Sequence, residues 1–431
     1  MFYKETEFQE TPIGKIPKDW ETTKLSELSE HITKGTTPTT YGFGYTASGI
    51  HFIKVESIDD RGAFVPENIP HISEEANEVF SRSILRENDI LFSIAGALGR
   101  VATVTGEILP ANVNQALAII RLKEQNRLSV KYLKYFLMGS QIQNFVRTIA
   151  IQSQQANINL EHVRNFTVAL PPLGEQRGIV EVLGVVDLAV GKTGEVIAKT
   201  ERLKKGLMQE LLTKGIGHKE YKYSKELAHE IPQDWDVLHA EKICDRVTDG
   251  THDTPKPVEN GYYLVTSKHI KNGIIDFSEA YFISEEDFIE VNKRSKVDYG
   301  DVLFSMIGTV GMTTIVRKEY PTFAIKNIGL FKTNNDFSLA YWLNYYFQSP
   351  ITQKYIKDHL KGTTQKYIPL HSLRTFPIAL PSPIERGKIA EILSTVDRKL
   401  ELERTEKIRL ERVKRGLMDL LLTGKVRVKV D

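Results

Sequence analysis

Cysteine is almost missing from this chain of 431 residues. Cys244 stands alone, which excludes an intrachain disulfide and a cysteine-built zinc site and is the usage expected in a reducing cytoplasm. Long apolar runs are missing as well, so no bilayer-spanning segment and no membrane partner are expected. The opening MFYKETEFQETPIGKIP lacks the basic start and apolar stretch of a signal peptide. Charge of one sign is also lacking. Lys and Arg total 57 against 55 Asp and Glu, a net +2, so a nucleic-acid ligand would require the cations to be gathered on one face. What remains is an ordinary globular composition in a chain too long for one core, which implies two or more domains.

Catalytic signatures are absent too. LAVGKT, ending at Thr193, resembles the end of a phosphate loop, but the required glycine falls on Val186 and the segment reads as helix. GFG at Gly42 has no convincing strand before it and reads as a loop. There is no H-E-x-x-H and no G-x-S-x-G. An N-P-P-Y-type motif for adenine methylation is also lacking. His51, His71 and His269 read as surface or loop residues. Asp89 and Asp301, at matching places before strands, read as turn caps. A chain without a catalytic constellation reads as a binding component rather than an enzyme.

The sequence does contain itself twice. IPKDWETTKLSEL from Ile16 returns as IPQDWDVLHAEKI from Ile231, pairing Trp20 with Trp235. ITKGTTP (32–38) returns as VTDGTHDTP (247–255), and NDILFSIAGALGRVATV from Asn88 returns as GDVLFSMIGTVGMTTIV from Gly300. Asn114 pairs with Asn327. QSQQANINLEHVRNFTVALPP from Gln152 aligns without a gap on GTTQKYIPLHSLRTFPIALPS from Gly362, and KKGLMQELLT from Lys204 on KRGLMDLLLT from Lys414. A period near 210 residues means two similar domains, not a solenoid.

The first part of each copy, roughly 16–170 and 231–380, carries short strand-like runs, glycine and proline turns and a few helical stretches, which reads as α+β. The second part, roughly 174–213 and 384–423, is helical. Apolar residues recur at three- and four-residue spacing: Ile179, Leu183, Val186, Val190, Thr200, Leu207 and Leu211, then Ile389, Leu393, Val396, Leu400, Leu410, Leu417 and Leu421. That is a coiled-coil seam with a polar middle at Thr193 and Glu403. A lone amphipathic helix is marginal in water, and the second copy provides the partner, so the simplest closure is an antiparallel pair with pseudo-twofold symmetry. Gly178, Gly184, Gly191 and Gly194 weaken the first helix, each by roughly 1 kcal/mol against alanine, and a break near Gly191–Gly194 is expected.

The segments LPPLGEQRGIVEVLGVVD, KKGLMQELLT and LPSPIERGKIAEILSTVD resemble the conserved spacer regions of the specificity subunit of type I restriction–modification systems. ILFSIAGALGRV, VLFSMIGTVGMT and the IPKDW head of each copy resemble that family's target-recognition domains. The second copy departs at IERGK, where the first keeps Glu175, Gln176 and Arg177. The resemblance implies a first target-recognition domain over 1–173, a spacer helix region over 174–215, a second recognition domain over 216–383 and a second spacer region over 384–431. It implies that each globular part reads half of a bipartite, asymmetric site in double-stranded DNA. The helices would set the spacing and dock two modification subunits carrying S-adenosylmethionine. A restriction subunit, a translocase and nuclease using ATP and Mg, completes the complex. No cofactor is expected on this chain itself.

Base reading needs side chains that reach base edges. Two polar loops per copy suit it: Lys34, Thr36, Thr37 with Gln152, Ser153, Gln154, Gln155, and Thr251, His252 with Lys361, Thr363, Thr364, Gln365, Lys366. Scaffold motifs repeat while these loops differ, as two half-sites of different sequence require. Leu207, Met208, Leu211, Leu417, Met418 and Leu421 at the repeated helix ends are the candidates for partner docking. Two other readings stay open: a related bipartite modification or cleavage system, and a two-headed scaffold that binds no DNA.

Overall fold

The structure, a computed structural model, describes residues 2–123, 127–152, 157–271 and 273–429. The chain forms two compact units. One comprises Met1–Gly194 with Thr405–Asp431, the other Glu195–Arg404. The two longest helices, Leu173–Lys214 and Pro383–Leu422, are each divided between the units, at the polar middle of the seam.

In the first unit an antiparallel sheet runs in the order Ser29–Lys34, Leu117–Leu122, Ile90–Ser93, Val101–Thr103. Strand residues alternate between faces, and both faces are covered. Ile90, Phe92, Ala118 and Ile120 join a core built with the aromatic helix Val130–Met138, while Leu91, Leu117 and Ile119 join a second core. That second core lies against a smaller mixed sheet of Ala111–Val113, Ile50–Ile53 and His71–Ile72. Burial on both sides explains why ILFS reads as an unbroken apolar run.

The second unit repeats the plan. Its four-stranded sheet is Arg246–Asp249, Ile328–Lys332, Val302–Ser305, Thr313–Ile315, and the smaller sheet is Tyr281–Ile283, Tyr262–Thr266, Phe323–Lys326. Val302 and Phe304 face one core and Leu303 the other. The turn caps are as expected from sequence. Asp89 Oδ2 accepts the Arg86 N–H at 2.8 Å and Asp301 Oδ2 the Asp298 N–H at 2.7 Å. Each carboxylate is also buried against a cation, Arg121 in one unit and Lys332 in the other.

Within each unit the helix segments run antiparallel. In the first, Asp187 meets Lys414 at 2.6 Å and accepts the Tyr135 hydroxyl at 2.7 Å. In the second, Asp397 meets Lys204 at 2.6 Å and accepts Tyr345 at 2.8 Å. Burial, aided by the adjacent carboxylate, pushes both tyrosine hydroxyls well above their ordinary pKa. Every seam residue is buried or half-buried. The expected break at Gly191–Gly194 does not occur: one helix spans all 42 residues from Leu173 to Lys214, about 63 Å at 1.5 Å per residue. The glycine penalty is local and small, and burial of the seam outweighs it. The histidines also differ from expectation. His51 and His71 lie half-buried and paired on neighbouring strands, and His269 is fully buried, so that desolvation lowers its pKa.

Each helix starts at a shared carboxylate. Glu175 accepts the indole N–H of Trp20 at 3.1 Å and binds Arg427, which lies beyond the second helix, at 2.6 and 2.8 Å. Arg427 also reaches Asp19 and Glu5, and its strand Val426–Val428 pairs with Phe2–Lys4. In the second unit Glu385 accepts Trp235 at 3.1 Å and contacts His218 at 2.8 Å, and His218 also contacts Asp234.

Replacing Arg427 with alanine strips the cation from a buried carboxylate and is expected to destabilise the first unit by about 3–5 kcal/mol, read by urea denaturation. Hydrogen bonds from Arg427 hold the Asp19 carboxyl below its ordinary range. A carboxyl depressed in the fold stabilises above its unfolded pKa and loses that contribution as pH falls through the folded value. Stability should therefore fall below about pH 4, and Arg427→Met should flatten that dependence in an acid titration followed by circular dichroism.

Candidate nucleic-acid interface

Strand register brings the variable loops of each unit together. Lys34 pairs with Ala118 and Ser93 with Leu117, so the ends of Ser29–Lys34 and Ile90–Ser93 and the start of Leu117–Leu122 share one edge of the sheet. In the second unit Asp249 pairs with Gly329 and Ser305 with Ile328, which gives the same arrangement. Gly35 lets the chain leave that edge closely packed: a Cβ there would stand 1.8 Å from the Val113 carbonyl oxygen, and one at Gly250 2.2 Å from that of Ile325.

A glycine turn follows the central strand in both units, with Gly96, Gly99, Gly308 and Gly311 all at positive φ. One serine fastens each turn. Ser93 donates to the Ala97 carbonyl at 2.5 Å and accepts the Arg100 N–H at 2.7 Å; Ser305 does the same with Thr309 at 2.6 Å and Met312 at 2.8 Å. The second polar loop is stitched to this turn. The Ile368 N–H donates to Met306, the Gly308 N–H to Lys366, and Lys361 and Tyr367 exchange backbone bonds at 2.8 and 3.0 Å. Lys361, Thr363, Thr364, Gln365 and Lys366 are thereby all exposed beside the sheet edge that carries Thr251 and His252.

In the first unit the Ile158 N–H donates to Ile94 at 2.9 Å, the counterpart of the Ile368 anchor. Ser153, Gln154 and Gln155, just before it, lie outside the described residues, as does the side chain of Gln152. Lys34 is exposed, Thr36 is half-buried with its N–H on Val113, and Thr37 donates to Gln115. Thr251 is also half-buried and caps its own turn, its hydroxyl accepting the Asp253 N–H at 3.1 Å. His252 is exposed and bonded to Asp249 and Asn327. No cluster able to hold a metal occurs among the described residues, and no helix is long and apolar enough to cross a membrane.

The family profile "Type I restriction modification DNA specificity domain" matches twice, over 17–199 and 232–412. The chain belongs to that family. Similar proteins include two from Methanocaldococcus jannaschii. The putative type I restriction enzyme MjaX specificity subunit is 29% identical over 100% of this chain and 99% of its own. The type I restriction enzyme MjaVIII specificity subunit is 26% identical over 100% and 98%. The fold is also that of a chain from a solved structure on complex assembly and conformational transition of a type I R-M system. There the TM-score is 0.59 at 19% identity, covering 95% of this chain and 99% of that one.

In this specificity-domain chain the six residues expected to dock partners lie on the inner side of the long helices. Leu211, Met418 and Leu421 are buried in the cores of their own units, and Leu207, Met208 and Leu417 are half-buried against them. Leucines at helical spacing form the stripe that faces the chain's own interior. Other apolar side chains point outward: Val185, Leu188, Ile408 and Val413 in the first unit, and Leu203, Ile392 and Leu402 in the second. The same end of the sheets also carries Gln115, Lys268, Lys326 and Asn327, which the polar-loop criterion did not pick out. The matched Asn114 and Asn327 already marked the place, because both follow strands that end at the same edge.

Gly35→Ala should force the Val113 carbonyl aside and cost about 1–3 kcal/mol, with faster amide exchange over 32–37. Gly44→Ala, where a Cβ meets nothing within 4 Å, should change neither melting temperature nor exchange.

Proposed function

We propose that this chain is the DNA-reading subunit of a type I restriction–modification complex and performs no chemistry itself. Each unit reads one half of a bipartite, asymmetric duplex site through the loops at its sheet edge, and the long helices set the spacing between halves. The observation that carries this reading is that one backbone edge recurs in both units with different side chains. Lys34 and Thr37 in the first stand where Asp249 and His252 stand in the second. A fixed frame with changed contact groups is what two half-sites of different sequence require, because base edges are told apart only by the donors and acceptors brought to them.

The candidate base-contacting residues are Lys34, Thr36, Thr37 and Gln152–Gln155 in the first unit, with Thr251, His252, Lys361, Thr363, Thr364, Gln365 and Lys366 in the second. Modification subunits, bearing S-adenosylmethionine, dock on the outward apolar residues of the helices, such as Val185 and Leu188 or Leu203 and Leu402, since such side chains gain by leaving water. A restriction subunit brings ATP and Mg.

Exchanging the first globular part for that of another specificity domain should change one half of the methylated motif in the host genome and leave spacing and the other half intact. A change in both halves, or in spacing alone, would refute the assignment. Converting Lys361 and Lys366 together to alanine should lower the slope of log affinity against log salt by up to about 2, near 0.9 for each phosphate no longer neutralised. An unchanged slope together with altered choice at one half-site would instead make both lysines base readers.

A further inference from the structure

At the reading edge of the second unit the His252 ring is held between two side chains. Nε2 lies 3.1 Å from Asp249 Oδ2 and Nδ1 2.8 Å from Asn327 Oδ1. The charged groups around it come from three elements. Asp249 ends its strand, is buried and pairs with Arg294 of the helix Glu285–Ser295. Lys326 ends the strand Phe323–Lys326 and donates to the Thr254 hydroxyl. Asp253 follows His252 in the chain, its N–H on Thr251.

A carboxylate only accepts hydrogen bonds, so the nitrogen facing Asp249 carries a proton whether the ring is neutral or charged. The nitrogen facing Asn327 differs between the two states. In the imidazolium it is a donor and takes Asn327 Oδ1. In the neutral ring it is a lone pair and takes Asn327 Nδ2–H. A half-turn of the amide exchanges oxygen and nitrogen at almost no cost in shape, so the amide end left for an outside partner is set by the charge on His252. The first unit has no such pairing. Thr37 replaces His252, Lys34 replaces Asp249, and Asn114 Oδ1 is fixed by the Ala116 N–H at 3.1 Å.

We infer that Asn327 is a specificity-determining residue of the second unit, and that protonation of His252 switches it between donor and acceptor. With the ring charged, Asn327 offers an N–H, which suits guanine O6 and N7, thymine O4 or adenine N7. With the ring neutral it offers a carbonyl, which suits the amino groups of adenine and cytosine. This rests on the reading edge being a DNA interface, as proposed above.

The test uses the full chain and a randomised duplex library, selected at about pH 5.5 and about pH 8. Wild type should bind a bipartite motif at both values. At one position of one half, the preference for cytosine over guanine and thymine should rise by about tenfold at the higher pH, within the range of a single base contact. Asn327→Asp keeps an acceptor at both pH values and should select adenine or cytosine throughout. His252→Gln should make the choice independent of pH, and both variants should leave the other half-site as in wild type. A wild-type motif identical at the two pH values overturns the switch while leaving DNA reading intact, as does a pH response that survives His252→Gln. Failure to select any motif overturns DNA reading, and the switch with it.

Discussion

Glu175 and Glu385 decide where each long helix begins and what it is joined to. A carboxylate removed from water needs its lone pairs filled, and three different parts of the chain meet to do this. The tryptophan of the IPxDW turn supplies an indole N–H, the helix supplies the carboxylate, and the segment after the opposite helix supplies Arg427 or His218. Removing any one leaves a buried polar group without its partner, a larger loss than the bond itself. The node therefore fixes recognition sheet, helix start and helix end in one register within each unit. The outer contacts, Tyr135–Asp187–Lys414 and Tyr345–Asp397–Lys204, repeat along the helices from that fixed point.

That anchoring leaves the far edge of each sheet free to vary. The glycine turns and the close approach at Gly35 and Gly250 are backbone devices, and the serine that fastens each turn is the same in both units, so the frame is indifferent to the side chains beside it. Exchanging Lys34 for Asp249 changes the local electrostatics completely: an exposed cation gives way to a buried anion that needs Arg294. The strand pairing is unchanged. Stability and selectivity are thus carried by different atoms, which lets one sheet frame serve two unlike edges.

Much of this was legible in the sequence because duplication is its own alignment. The paired IPxDW heads, the ILFS and VLFS strands and the seam positions all stand in equivalent places, and Asp89 and Asp301 cap turns as their position before strands implied. What was not legible depends on residues far apart in the chain. Nothing near Glu175 announces Arg427, 252 positions later. Helical spacing shows that Leu211 and Leu421 lie on an apolar stripe but not that the stripe is covered by the chain's own core. The glycines near 191 argue for a break only if the helix is judged alone. Asn327 draws its importance from His252 and Asp249, which reach it through sheet register rather than sequence proximity.

The first unit has a further property that follows from its composition in chain order. It needs Met1–Gly194 and also Thr405–Asp431, whereas the second is the continuous stretch Glu195–Arg404. On a ribosome adding about 5–20 residues per second, the strand Phe2–Lys4 waits about 20–85 s for the strand that carries Arg427. Until then Glu175 and Trp20 lack their cation, and the strand Phe2–Lys4 has no neighbour. A chain released before Val426–Val428 would carry that unfinished edge permanently. The folding of the part made first thus waits on a segment made after the whole of the second unit.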